Sequence, residues 1–352
     1  MNHARYTPLF LSAVLPLLLF RLMLPAGAVQ LDLLLWWLIA MLLVGLPLLF
    51  SETALAYRST NTPLLGMQKL TREADSTVAW RAFSWGSVVF AITLGASLIA
   101  LTSGHIAQLL SQNIGAISEQ AVAFALTVLA LILSALKTRL LPIAAITACL
   151  AMVVGLATSG LPTLAMTPTN FYEWALAVTL AIFSVGIGTG LYWFTLAQSA
   201  NAKNTAPLTP KVLPIWGVQV VFGIMAMMAQ TTGSLAIWLI SIASLIGCGF
   251  LWHYAQSQLQ ARVGLLKSIP LLVITALLLV LLPKSAFVII LTLLGLTLAL
   301  VLALFVGFAM KISHLRKTLN FKNELRYNLW RIAIRWLAPL ALLSALVGIW
   351  LS

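Results

Sequence analysis

The sequence predicts an all-α polytopic membrane protein of about eleven transmembrane helices, a five-plus-five inverted repeat followed by one C-terminal helix. Three observations lead there. Of its 352 residues, 62% are hydrophobic and 8% charged, with a mean hydropathy of +1.06; soluble domains of this size do not have that composition. Apolar runs of about 17 to 28 residues recur from end to end, each long enough to cross a bilayer. The basic residues also sort between alternate loops. Outer-membrane strands of alternating polarity do not occur.

The spans fall at about 7–28, 33–51, 79–102, 119–136, 140–159, 171–198, 210–230, 234–256, 267–283, 286–310 and 329–351. With this count the N-terminus and the even loops hold eighteen of the twenty Lys and Arg, leaving Arg21 and Lys284 for the other side. Basic loops stay cytoplasmic, so the N-terminus is expected inside and the C-terminus outside the inner (plasma) membrane. The net charge of +13 is therefore a topology signal and not a nucleic-acid surface. Residues 52–78 end in a stretch suited to a short interfacial helix, and the basic segment 311–328 suits anionic headgroups. Met1 to Arg5, the apolar run and Ala26-Gly27-Ala28 resemble a signal peptide; Arg21 inside the run and the span that follows at once favour a retained first helix. Cys149 and Cys248, isolated in separate spans, read as small core residues.

The sixth span carries Ile182-Phe183-Ser184-Val185-Gly186-Ile187-Gly188-Thr189-Gly190. Each glycine costs a helix interior about 1 kcal/mol against alanine, and freed backbone is tolerated in a bilayer only under protein cover or beside a wet cavity. The stretch reads as a deliberate helix break at Gly186, Gly188 and Gly190; close packing through Gly186-x-x-x-Gly190 is the alternative. Pro16 interrupts the first span. The first and sixth spans hold corresponding positions in two halves, about 7–159 and 171–310, with 329–351 as the extra helix. Interrupted helices so placed point to a transporter with a midplane site.

Gly45-Leu46-Pro47 followed by Glu52 resembles the second helix of the neurotransmitter:sodium symporter family. Phe183-Ser184 with Gly186, Gly188 and Gly190 is similar to that family's sixth-helix pattern. Thr167-Pro168 resembles its approach to that helix, and Arg335 with Pro339 its terminal Arg-x-x-x-Pro. The resemblance implies sodium-coupled uptake of amino acids or amines by alternating access, with solute between the first and sixth helices. It places Ser12, Ala13, Phe183, Ser184, Gly186 and Gly188 at the substrate, and Arg21 and Phe183 at the outer gate.

The sequence departs from the family at the first span. Ser12-Ala13-Val14 stands on the family's Asn-Ala-x, but Leu15, Pro16, Leu17 and Leu18 replace its glycine-containing stretch and its Asn. Met23 replaces the proline after the Arg. The eighth span offers a sodium ion only Ser244. The seventh lacks an Asn and the third a Tyr. These losses argue against two-sodium coupling, because hard cations need several oxygens.

The tenth span has no acid for Arg21 to pair with; Asp32 or Glu173 are substitutes, and snorkelling to headgroups is the alternative. Glu52 reads as a capping or ion-pairing residue. Glu119 and Glu173 suit helix starts. His253 could titrate in a proton-coupled variant. Tryptophans and tyrosines near span ends suit an interfacial belt. No nucleophile–base pair, phosphate loop or metal cluster appears, so an enzyme is not expected. The expectation is a secondary active transporter of a small, amino-acid-like solute, without a cofactor beyond a sodium or proton as coupling ion. A non-transporting protein that keeps the fold for partner binding is the alternative.

Overall fold

The computed structural model describes residues 6–24, 30–115, 117–160, 164–166, 170–186, 189–197, 206–229 and 233–351, apart from the side chains of Arg21, Gln112, Asn113, Ile114, Ser159 and Ile312. Among the described residues the ordered structure is helical throughout. The helices are α1 (Thr7–Met23), α2 (Leu31–Ser59), α3 (Pro63–Glu73), α4 (Ala82–Ile114), α5 (Glu119–Leu133), α6 (Leu140–Ser159), α7 (Phe171–Val185), α8 (Leu191–Ala197), α9 (Thr209–Met228), α10 (Ser234–Val263), α11 (Leu265–Leu279), α12 (Lys284–Leu304), α13 (Ile312–Leu319) and α14 (Glu324–Trp350). The expected spans appear in order, and α3 is the expected short helix between the second and third.

α1 lies inside the bundle, against α6, α7 and α9. α10 packs along α4 and α6, while α7 lies between α2 and α14. Small residues allow the close approaches expected between membrane helices. At Gly348 of α14, a β-carbon would stand 2.7 Å from Ala175 Cβ of α7. Wider turns at Met41–Gly45 in α2 and Ala333–Leu337 in α14 each sit just before a proline, Pro47 and Pro339. A π-turn there absorbs the missing donor without ending the helix.

Pro16 does not break α1. The helix runs unbroken from Thr7 to Met23 with Pro16 inside it. Leu15, Leu17 and Leu18 are strong helix formers, and losing one backbone bond costs less than exposing several groups to hydrocarbon. The first span therefore lacks the break that the sixth keeps.

α7 starts with a reciprocal cap. The Glu173 N–H donates to Asn170 Oδ1 at 2.8 Å, and the Asn170 N–H donates back to the Glu173 carboxylate. Asn170→Ala is expected to cost about 1 kcal/mol, read as a lower midpoint in thermal unfolding of the purified protein.

At the end of the bundle where α2, α3 and α13 meet, charged groups tie the connections together. Arg58 pairs with Glu73, whose carboxylate also lies 3.1 Å from His314 Nδ1. Lys311 Nζ lies 2.6 Å from Asp75 Oδ2. The hydrogen bond from Lys311, and then its charge, hold the Asp75 carboxyl below the usual carboxylate range. A depressed carboxyl contributes its stabilisation above its unfolded value and loses it as pH falls through its folded one. The tie from Asp75 to Lys311 is thus expected to persist at neutral pH and to open only once pH falls below the ordinary carboxylate range. A disulfide cross-linking rate between cysteines placed at positions 75 and 311 cannot read this without removing the pair, so proton–deuterium exchange of residues 74–77 is the measurement; Asp75→Asn should raise that exchange at neutral pH.

Candidate functional site

The chain leaves helical geometry at Gly186. Its φ of +65° and ψ of +25° are left-handed, a conformation that L-residues adopt at a cost. Gly190 repeats this with φ +68°. Between them, the Thr189 hydroxyl donates to the Gly186 carbonyl and accepts the Leu191 N–H at 3.2 Å, which starts α8. Gly188 lies outside the described residues. The helix break expected at Gly186 and Gly190 is present, and Phe183, Ser184, Val185, Thr189 and Leu191 around it are buried.

Leu15 of α1 fills the space beside Gly186. A β-carbon on Gly186 would stand 2.5 Å from Leu15 Cδ1 and 3.2 Å from Tyr192 Cε2. Leu11, Val14, Leu15 and Leu18 line a narrow apolar void of about 10 Å³ with Leu94, Leu98, Gly247 and Phe250. That is at the limit for one water molecule and far below an amino acid.

The remaining proposed contacts diverge. Ser12 is fully buried, donates to the Leu9 carbonyl at 2.7 Å, and faces the Tyr192 hydroxyl. Ala13 instead lines a cleft of about 430 Å³ on the outer face of the bundle, with Leu9, Phe10, Ala145, Cys149 and Phe222. An unbroken helix turns neighbouring residues about 100° apart, so Ser12 and Ala13, both buried, lie on different faces of α1. Ser184 donates to the Leu180 carbonyl at 2.7 Å and accepts from Trp37 Nε1 at 3.3 Å, which commits its hydroxyl to α2. Phe183 stacks on Phe90 with ring centroids 5.8 Å apart, both against Gly295 of α12. The Arg21 side chain lies outside the described residues. Ser244 lines a separate narrow gap with Leu18, Thr102, His105 and Ser241.

The polar residues that do converge on the break come from other helices. Glu52 of α2 is fully buried, and its Oε1 accepts the Trp193 N–H at 3.0 Å. Trp193 Nε1 donates to the Asn61 carbonyl at 2.8 Å and to Ser59 Oγ at 3.1 Å. Gln219 Nε2 of α9 donates to the Tyr192 hydroxyl at 2.8 Å. The Tyr254 hydroxyl of α10 lies 3.2 Å from Ser87 Oγ of α4 and packs at Gly190, where a β-carbon would come within 2.6 Å of it. Tyr192, Tyr254, Gln219 and Ser87 were not singled out in the sequence. Gln219 had a readable signal, an amide in the middle of the span where an Asn was sought. The tyrosines had a weaker one, since interfacial belts also use tyrosine.

Helix α8 is thus held on three sides: by Glu52 and the α2–α3 turn through Trp193, by α9 through Tyr192, and by α10 through Tyr254. The arrangement anchors α8 on the far side of a break flanked by two left-handed glycines.

No protein-family model matches the sequence, and no curated relative matches it. Among solved structures, the fold is similar to that of MhsT in complex with L-phenylalanine, with a TM-score of 0.74 over 97% of this chain and 98% of that one, at 14% sequence identity. At that identity the likeness is one of fold. The chain is a polytopic membrane protein with the helical fold of MhsT, the fold class that the motifs in its second and sixth spans implied.

Proposed function

We propose that the chain is a secondary transporter of a small, amino-acid-like solute, working by alternating access about the discontinuity between α7 and α8. The observation that carries this reading is the break itself. A buried break with left-handed glycines is costly in a bilayer, and it sits in a fold shared with a protein solved with L-phenylalanine bound. The two halves, about 7–159 and 171–310, would rock against each other, with the N-terminus cytoplasmic and the C-terminus outside the inner membrane.

The leucines restrict the solute. Polar groups would meet the freed backbone near Gly186, and its side chain would meet Leu15 and Leu18, so a small apolar amino acid fits best. α1 must shift to admit it, because the present void holds no solute. Sodium coupling finds little support, since Ser244 is set apart from the break and Leu15 and Leu18 offer a cation no side-chain oxygen.

The unbroken, leucine-filled α1 favours one second reading, a non-transporting protein that keeps the fold to bind a partner. Reconstituted protein decides between them. Liposomes should exchange labelled for unlabelled amino acid for at least one member of a panel that includes L-phenylalanine, and Gly190→Leu should abolish that exchange in a protein that still purifies as a single species. Absence of exchange for the whole panel, with no ligand-induced thermal shift, would favour the second reading.

A further inference from the structure

Glu52 is a buried acid beside the helix break, and among the described residues no cation pairs with it. The residue is fully buried. Oε1 accepts the Trp193 N–H, while Oε2 has no hydrogen-bond partner among the described residues. The helices packed around α2 are α3, α7, α8, α9, α12, α13 and α14. Its titratable neighbours are Tyr192 on α8 and, from α10, Tyr254. Both hydroxyls are already engaged, by Gln219 and Ser87.

Most of the described cations on the surrounding helices are engaged elsewhere. Arg58 holds Glu73 beside His314, and Lys69 donates to the Ser59 carbonyl. Lys211 donates to the Tyr57 hydroxyl, Lys311 pairs with Asp75, and Arg316 with Glu324. Arg335 donates to the Gly307 carbonyl, and Lys284 of α12 pairs with Glu119. Arg72, Lys317, Arg326 and Arg331 form no ion pair with Glu52 among the described residues, nor does Glu173 of α7 contact it.

A carboxylate this deep, uncompensated and with one oxygen empty, is among the least favourable groups a bilayer protein can hold. Some cation must accompany it. A metal ion would require several oxygens converging on the same point, whereas a proton requires one. Gln219, which bonds the neighbouring Tyr192, also has its Oε1 without a partner among the described residues, and a proton on Glu52 would add a donor to this acceptor-rich region. Position gives the group its leverage. Through Trp193 the same carboxyl holds α8, the piece beyond the two left-handed glycines.

We propose that Glu52 Oε2 is a proton-binding site, loaded and emptied as the α7–α8 hinge moves, so that the coupling ion is a proton. The reaction is one reversible protonation, carboxylate plus proton to carboxylic acid, with no other bond made or broken. The coupling rests on the transporter reading; the proton site itself does not.

Two measurements on the full-length protein test the pair separately. Infrared spectra in lipid nanodiscs, followed through a pH titration, should show a carboxylic C=O stretch that disappears in Glu52→Gln, a variant that keeps the acceptor for the Trp193 N–H. Identical spectra for the two proteins would overturn the proton site. In liposomes, Glu52→Gln should lose accumulation driven by a pH gradient by tenfold or more relative to its own gradient-free amino-acid exchange. Intact pH-driven accumulation in the variant, or accumulation that follows sodium alone in the native protein, would overturn the coupling. Lack of exchange in the native protein would overturn the transporter reading and coupling together, leaving the spectra to decide the proton site.

Discussion

Gly186→Val is expected to destabilise the protein by about 2–5 kcal/mol, from about 1–2 for a side chain in left-handed backbone and about 1–3 for overpacking. The second contribution has a named source, Leu15 Cδ1 at 2.5 Å from the added β-carbon. Leu15→Ala should therefore recover part of the loss in the double variant, by about 1 kcal/mol in a double-mutant cycle. The backbone contribution should remain in full. Thermal or denaturant unfolding of the four proteins reads the cycle directly. Additive effects would show that Leu15 does not press on the hinge, and would remove the main reason for expecting α1 to move when solute enters.

Trp193→Ala should be comparably damaging, at about 3 kcal/mol. This lies at the low end for a buried tryptophan, because a core surrounded by lipid loses packing but gains little from water exclusion. The ring is fully buried, stacks against Phe83 with centroids 6.4 Å apart, and leaves no room for a side chain at Gly66. Its Nε1 also serves two acceptors in the α2–α3 turn. Removing it should free that turn from α8. Faster hydrogen–deuterium exchange at residues 59–62, with that at residues 170–180 unchanged, is the specific outcome. Trp193→Phe should keep most of the packing and lose only the two hydrogen bonds. Uniform loosening in both variants would mean that Trp193 supports the bundle in general and not the piece beyond the hinge.

Much of the fold was legible because a bilayer imposes strong rules. Composition named the class, apolar runs placed the spans, and the glycines with their flanking hydroxyl marked the break at Gly186 and Gly190. The expectation that fails is the break at Pro16: proline removes a donor, but neighbouring helices and hydrocarbon make unwinding dearer than one lost bond. Once α1 is continuous, its register puts Ser12 and Ala13 on different faces. The tryptophans were expected mostly at the interface, yet Trp37, Trp193 and Trp252 are fully buried, with their indole nitrogens bonded to Ser184, Ser59 and the Ile92 carbonyl. A single residue in a sequence does not announce which partner will satisfy it.

The sequence by itself determined the spans, their order and the hinge glycines, because those follow from local hydropathy and from backbone preference. Only the tertiary structure decided what surrounds the hinge. It placed Leu15 against Gly186, turned Ser184 toward Trp37, and brought Glu52 onto the Trp193 N–H across 141 positions of chain. Those contacts depend on how separate helices rotate and pack, and neighbours along the chain carry no record of that.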